Sequence, residues 1–265
     1  MPALNEISPI NLMRLIGTPQ CPVIIDVCTD DDFDEDPTLI PTATRHPHGD
    51  TAALVGKLSG QDVVVACHKG LKLSHGVAAY LRAKGINAQI LTGGNVAWTD
   101  AGLPRVPVAQ IPGSLWVTRH RPKIDRIACP WLIRRFIDTQ ATFLFVPPST
   151  VIDVADRFGA TAFDIENCDW THEGDLCTFD VMIKRFGLNH PALETLATVV
   201  RAADTDRHDL APQAAGLLAL SVGLSRMFRD DTAQLDAGML LYDALYRWAR
   251  DGQEEGHDWP AGRQQ

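Results

Sequence analysis

Val63-Val64-Val65-Ala66-Cys67-His68-Lys69-Gly70-Leu71-Lys72-Leu73-Ser74 is an apolar run that breaks off at a cysteine. It then crosses a six-residue loop with one Gly and two Lys, and resumes at Ser74 as an amphipathic stretch. The apolar run predicts a buried parallel strand, and the periodicity after the loop predicts a helix over 74–84. Cys67 then stands where loop N–H groups meet the positive end of a helix dipole, surroundings that stabilise a thiolate. Lys69 and Lys72 add positive charge to the same loop. The competing interpretation is an inert thiol buried at a strand end, the commoner fate of a lone cysteine. Gly70 and the two lysines argue for the reactive one.

Outward from this stretch, apolar runs predict further strands over 23–27 and 88–91 and a helix near 95–101. Ser8-Pro9 is a cap followed by a favoured first helical residue, opening a short helix that ends at Gly17. This βα alternation implies a parallel sheet covered on both faces, with its site beyond the carboxyl ends of the strands, where Cys67 lies. The acidic run from Asp30 to Asp36, broken by Phe33, is expected to be a solvated loop, with metal binding a poor second. His46 and His48, beside Arg45, are expected to be ordinary loop histidines.

These residues together resemble the rhodanese-type sulfurtransferases. Cys67 through Leu73 is similar to their active-site loop: a nucleophilic Cys, Gly three residues on and a cation five on. Val23-Ile24-Ile25-Asp26-Val27 resembles their early strand, and Leu39-Ile40-Pro41-Thr42-Ala43 their following turn. Leu91-Thr92-Gly93-Gly94 with Trp98 and Gly102-Leu103-Pro104 resembles their closing signature. The resemblance covers about residues 1–106. It implies Cys67 as catalytic nucleophile, with His68, Lys69, Gly70, Leu71, Lys72 and Leu73 around the substrate. It further implies a small-molecule sulfur donor, a thiol acceptor and no cofactor for sulfur transfer. Lys72 stands where many members carry Arg, so an anionic donor would meet a point charge rather than a guanidinium fork.

The chain has 265 residues, enough for two ordinary domains with a core each. Pro104-Arg105-Val106-Pro107 through Ile111-Pro112-Gly113 lacks helical period. The expected organisation is therefore a first domain over 1–106, a linker over 107–114, a second domain over 115–250 and a polar tail over 251–265. A net charge of −9 argues against nucleic acid and anionic membrane as partners of the whole protein. Six cysteines without a C-x-x-C pair, and no signal-like N-terminus, suggest cytoplasmic thiols rather than disulfides. No apolar run approaches the roughly 20 residues of a membrane span.

In the second half, strands are expected over 115–118, 143–146 and 161–165, with a helix over 151–158 closed by Gly159. A further helix start is expected at Cys129-Pro130-Trp131, with Pro130 in the first turn. Helices then dominate, over 179–186, 191–203, 212–228 and 231–250. Gly216, Gly223 and Gly238 inside them are expected to mark close helix contacts. Arg119, Arg121, Lys123, Arg126, Arg134 and Arg135 crowd a short segment opposed only by Asp125. Of these, Arg121, Lys123, Arg126, Arg134 and Arg135 are candidate oxyanion ligands, because guanidinium forks match tetrahedral anions. A solvated basic face is the equal alternative. His172 and Cys177 stand among Asp164, Glu166, Asp169, Glu173, Asp175 and Asp180, while Asp204, Asp206 and His208 follow a helix end. His172, Cys177 and Asp204 form a candidate divalent-metal set of mixed N, S and O donors, against the plainer reading of a satisfied loop histidine and a core cysteine.

This half has a resemblance of its own. The run from Arg121 through Phe136, then Phe163-Asp164, His172, Cys177, Val200-Arg201-Ala202-Ala203-Asp204 and Tyr242-Asp243-Ala244-Leu245-Tyr246, is similar to the C-terminal domain of ChrB-type chromate-resistance proteins. That resemblance implies a link to chromate or oxidative stress, with chromate or another oxyanion as a further partner. Two functions are therefore expected to compete: sulfur transfer through a Cys67 persulfide, and redox or oxyanion sensing on a non-catalytic rhodanese scaffold.

Overall fold

The computed structural model describes residues 5–256. The part of the expected tail beyond 256, and the first four residues of the N-terminus, lie outside the described residues. In chain order the first half runs β1 (Glu6–Ile7), α1 (Pro9–Leu15), β2 (Val23–Asp26), α2 (Asp30–Asp34), β3 (Thr38–Leu39), β4 (Thr44–Arg45), β5 (Asp62–Ala66), α3 (Lys72–Ala83), β6 (Asn87–Leu91), α4 (Gly94–Asp100) and β7 (Val106–Pro107). The second half runs β8 (Leu115–Arg119), α5 (Asp125–Leu132), β9 (Thr142–Val146), α6 (Val151–Phe158), β10 (Thr161–Ala162), α7 (Thr178–Arg185), α8 (Pro191–Asp204), α9 (Ala214–Met227) and α10 (Asp231–Arg247).

Five strands pair in the order β1, β6, β5, β2, β4, every pair parallel, so the expected α/β sheet flanked by helices is present. The second half is mostly helical around a smaller parallel sheet, ordered β10, β8, β9. Alternation along the central strands sorts the first sheet into two apolar faces. Ile25, Val63, Val65, Ala88 and Ile90 face one way, packing with Val77, Ala78 and Leu81 of α3. Ile24, Val64, Ala66 and Leu91 face the other, packing with Leu12, Ile16 and Trp98. This second face is continuous with the core of the second half, including Trp131, Phe136 and Tyr246.

Local chemistry explains most element ends. Ser8 caps α1 by accepting from the Asn11 N–H, with Pro9 as its first residue. The acidic run is not the loop expected of it. Thr29 caps a short helix there, and Asp30, Asp31 and Asp32 fill its first turn, where the dipole favours negative charge. His48 is exposed at the start of the 3₁₀ segment His48–Leu54, while His46 Nε2 lies 2.7 Å from the Asp50 carbonyl and binds that ring into the loop. The Pro-rich segment is also engaged: β7 pairs antiparallel with β3.

Pro130 departs from expectation. It lies inside α5, five residues after the first, Asp125. Seven of the eight residues of α5 are buried, and that burial overrides the preference of proline for a first turn. Of the three helical glycines, only Gly238 marks a close contact: a Cβ there would lie 2.6 Å from Ile127 Cγ2. Gly216 and Gly223 meet nothing within 4 Å. All six cysteines are free thiols. Among the described residues, no helix is long and apolar enough to cross a membrane.

Candidate functional site

Cys67 follows directly on β5, a central strand of the larger sheet, and its loop turns back at once into α3. The turn is set by glycines on two segments. At Gly94, with φ of +62°, a Cβ would stand 2.0 Å from the Cys67 carbonyl oxygen and 2.3 Å from the Gly70 nitrogen. At Gly70, with φ of +64°, a Cβ would strike the Leu91 carbonyl at 2.7 Å. The start of α4 then clamps the loop: Asn95 N–H donates to the Cys67 carbonyl (3.1 Å) and Val96 N–H to the His68 carbonyl (3.0 Å). Asn95 is itself anchored, its side-chain amide donating to Asp26 Oδ2 (2.8 Å) at the end of β2. Asp26 Oδ1 accepts from the Cys28 N–H (2.8 Å). The buried Asp26 thus holds the end of the sheet and the α4 turn together, as a structural residue of this site.

The loop closes on the sulfur. Cys67 Sγ donates to Ser74 Oγ (3.2 Å), and Ser74 Oγ donates to the Leu71 carbonyl (3.1 Å). Ser74 therefore sits in the first turn of α3 as the sulfur's partner, and the helix begins two residues before the expected position. Among the described residues, the backbone N–H groups of His68, Lys69, Leu71, Lys72, Leu73 and Ser74 donate to no protein acceptor. Successive unpaired amides on a tight loop at a helix start form a concavity suited to an anion. Lys69 and Lys72 are exposed and take part in no ion pair among the described residues. Cys67 itself is 4 % exposed. Beside the loop a cavity of about 290 Å³ is lined by Cys28, Asp32, Asp36, His68, Asn95 and Arg105, among others. Burial, then the Asp26 carboxylate, pushes the Cys28 thiol far above its ordinary range.

The five expected oxyanion ligands do not all share one pocket, although Arg134 and Arg135 line a common cavity of about 290 Å³ with Cys21, Thr42 and Gln140. Arg121 donates to the Phe228 and Ser225 carbonyls. Arg126 faces Asp164 (3.6 Å). Arg134 donates to the Ala141 carbonyl and lies over the Phe143 ring. Arg135 makes a two-pronged bond to Asp243, both contacts 2.8 Å. Lys123 is exposed. Four of the five cations are engaged by protein acceptors, Arg121 at the end of α9, Arg126 at Asp164, and Arg134 and Arg135 beside their common cavity.

The expected metal set is partly brought together. His172 Nε2 lies 3.4 Å from Asp204 Oδ2, at the end of α8, 3.4 Å from Asp164 Oδ1 and 3.6 Å from Asp125 Oδ2. Asp125, at the start of α5, is wholly buried; its Oδ2 accepts from the Thr178 N–H (2.7 Å), whose helix α7 points its positive end at it. Asp164 has φ of +51°, accepts from Thr178 Oγ1 (2.9 Å) and faces Arg119 and Arg126. The Asp164 carboxylate, then that of Asp204, pushes the His172 imidazole up to about 10. Burial, then the charges of Asp204 and Asp164, pushes the Asp125 carboxyl well above its usual range. Burial pulls Arg126 down.

Cys177 is a correction to the expected ligand set. It is the wholly buried residue preceding α7, its N–H bonded to Asp180, and burial pushes its thiol far above the ordinary range. It is outside the group of donors that converge, which are Asp125, Asp164 and His172; the expected ligand Asp204 is also outside that group, beside His172. In the sequence Asp164 stands among the residues of the ChrB-type resemblance and among the acids near His172, without a ligand role. Asp125 looked like the lone counter-charge of a basic segment.

Comparison with known proteins follows this division of the chain. The family profile described as "ChrB, C-terminal domain" matches residues 116–249. Protein ChrB of Cupriavidus metallidurans is 34% identical over 172 residues, covering 63% of this chain and 52% of its own. The chain thus spans about half the length of that relative. Among solved structures, a rhodanese-like domain protein from Staphylococcus aureus is 26% identical, covering 36% of this chain and 91% of its own at a TM-score of 0.33. A thiosulfate sulfurtransferase from Pseudomonas aeruginosa is 25% identical, covering 39% and 19% at a TM-score of 0.33.

Proposed function

Since the chain belongs to the ChrB C-terminal domain family, matched over residues 116–249, we propose that it is a sulfurtransferase working in the setting of chromate or oxidative stress. The carrying observation is the Cys67 loop at the end of a central strand. Six of its backbone amides donate to no protein acceptor among the described residues, and its sulfur bonds Ser74 in the following helix. Thiosulfate or a related sulfane donor would bring its outer sulfur to the Cys67 thiolate. The Cys67 sulfur forms a bond to that outer sulfur, the donor's own S–S bond breaks, and sulfite leaves with the electron pair. The resulting persulfide carries negative charge on its terminal sulfur. The unpaired amides of His68, Lys69, Leu71, Lys72, Leu73 and Ser74 would hold that charge, as donors of an oxyanion hole do. A thiolate acceptor then attacks the terminal sulfur, and Cys67 departs as thiolate. Lys69 and Lys72 lower the charge cost of bringing an anion to the loop.

Ser74 has a definite part in this cycle. In the thiol state its hydroxyl accepts from Cys67 and donates to Leu71. When Cys67 loses its proton, the same hydroxyl can turn its hydrogen to the sulfur. Such a two-step covalent route gives ping-pong kinetics.

The alternative is a thiol that senses oxidants without turning over, and the 4 % exposure of Cys67 works against ready oxidation. Mass spectrometry of the protein after incubation with thiosulfate separates the two. One added sulfur on Cys67, discharged by a thiol at a rate matching turnover, is expected, and Cys67→Ser loses both. A Cys67→Ser variant transferring sulfur at the parent rate would overturn the proposal. Oxidation of Cys67 without sulfur loading would favour the sensor.

A further inference from the structure

The ring formed by Asp125, Asp164, His172 and Asp204 is separate from the Cys67 loop, and sulfur transfer makes no use of it. One imidazole there faces three carboxylates, more negative charge than a single imidazolium balances. His172 Nε2 is a single ring atom that carries at most one proton, yet it faces three carboxylate oxygens at 3.4–3.6 Å. All three distances exceed the 2.7–3.2 Å of an N–H···O bond, so the contacts are ion-pair contacts without a close hydrogen bond. The Asp125 carboxylate is wholly buried: its Oδ2, the oxygen facing His172, accepts from the Thr178 N–H, while its Oδ1 has no hydrogen-bond partner. An unpaired buried carboxylate oxygen is costly unless something positive reaches it. The nearby guanidinium groups do not fill that need: Arg119 and Arg126 approach Asp164 instead.

We propose that Asp125, Asp164 and His172 bind one divalent transition-metal ion, with Asp204 flanking its fourth, solvent-facing position. The three donors each place a ligand atom within 4.8 Å of the others. Tetrahedral ligands about 2.1 Å from a common centre lie about 3.4 Å apart, which is the spacing of Nε2 from Asp164. Two carboxylates and one imidazole form a donor set for Zn²⁺ or Mn²⁺; an all-oxygen set would suit Mg²⁺ or Ca²⁺. An oxyanion such as chromate is excluded from direct contact with this ring by three carboxylates. His172 and Asp204 keep side-chain exposures of 40% and 21%, so the fourth position opens to water. Three protein ligands and one exchangeable position describe a site able to take up an exogenous ligand.

The test is calorimetric titration of the full-length protein, stripped with a chelator, with Zn²⁺ and separately with Mn²⁺. One equivalent is expected to bind, at least tenfold more weakly in His172→Ala. Asp204→Asn, at a partly exposed helix end, should weaken binding by a smaller factor. Cys177→Ser should bind like the parent. Circular dichroism of the metal-free variants confirms that they fold. As a second readout, Zn²⁺ or Mn²⁺ should raise the unfolding temperature of the parent and not that of His172→Ala. Equal affinity in the parent and His172→Ala for both ions overturns the site, as does loss of binding in Cys177→Ser with retention in His172→Ala.

Discussion

Lys72 illustrates what one exposed side chain contributes to a site whose shape is set elsewhere. It stands at the start of α3, in no ion pair among the described residues, beside amides that donate to nothing. Its charge acts on an arriving anion through water, where two unit charges 4 Å apart interact by about 1 kcal/mol. Lys72→Ala should therefore raise the KM for thiosulfate roughly fivefold at low salt and leave kcat unchanged, the pattern of lost uniform binding. The effect should fade in high salt, where exposed charges are screened. Steady-state kinetics at two ionic strengths checks both parts, and an unchanged KM at low salt rejects the role. At this scale the sequence reveals residues whose partners are local. Cys67, Gly70 and Lys72 fall within six positions, so their shared loop was readable. Asp125 was not readable as part of a site, because its companions stand 39 and 47 positions away, at Asp164 and His172. Only the packing of α5 against α7 reveals why an acid is buried in a basic segment.

Glycines show which local signals carry over to elements. Gly94 holds a backbone at φ of +62° and lets the Cys67 loop pass within contact distance, so Gly94→Ala adds strain and a clash against backbone atoms that cannot give way. Its cost should exceed about 1 kcal/mol, since alanine is strained at positive φ, and sulfur transfer should fall with it. Gly216 in α9 meets nothing within 4 Å. Gly216→Ala should stabilise the protein by roughly 0.5–1 kcal/mol through helix propensity alone. Urea midpoints of the two variants should move in opposite directions; a shift of the same sign in both contradicts this account. Periodicity located the longer strands and most helices because each apolar stripe answers to one neighbouring layer, but it missed the two-residue strands β1, β3, β4 and β7, too short to show alternation. It misplaced the start of α5, where nearly every position is buried and no stripe remains to read. It also made a loop of the acidic run, since charge density outweighed the Thr29 cap that starts α2.

At the scale of the whole molecule, the junction between the halves is a packed core, a feature no local pattern announces. Phe136 is at its centre. Its ring packs edge-on against Tyr246 with centroids 5.5 Å apart, and its carbonyl accepts from the Thr42 N–H (2.9 Å) of the first half. Gly17, after α1, lies so close that a Cβ there would stand 2.5 Å from Phe136 Cζ and 2.7 Å from Tyr246 Cε1. Arg250 reaches back to the Arg14 carbonyl (2.7 Å). Removal of a buried Phe ring costs about 3–5 kcal/mol, from lost transfer energy and the cavity left behind. Because the ring belongs to both halves, that loss should be felt by both. Phe136→Ala is expected to lower the temperature at which Cys67 becomes open to alkylation by the same amount as it lowers the tryptophan-fluorescence transition. The parent should show these two probes coinciding, as a single cooperative unit does. Should alkylation of Cys67 in Phe136→Ala keep the parental temperature while fluorescence shifts, the shared apolar face does not couple the Cys67 loop to the second half.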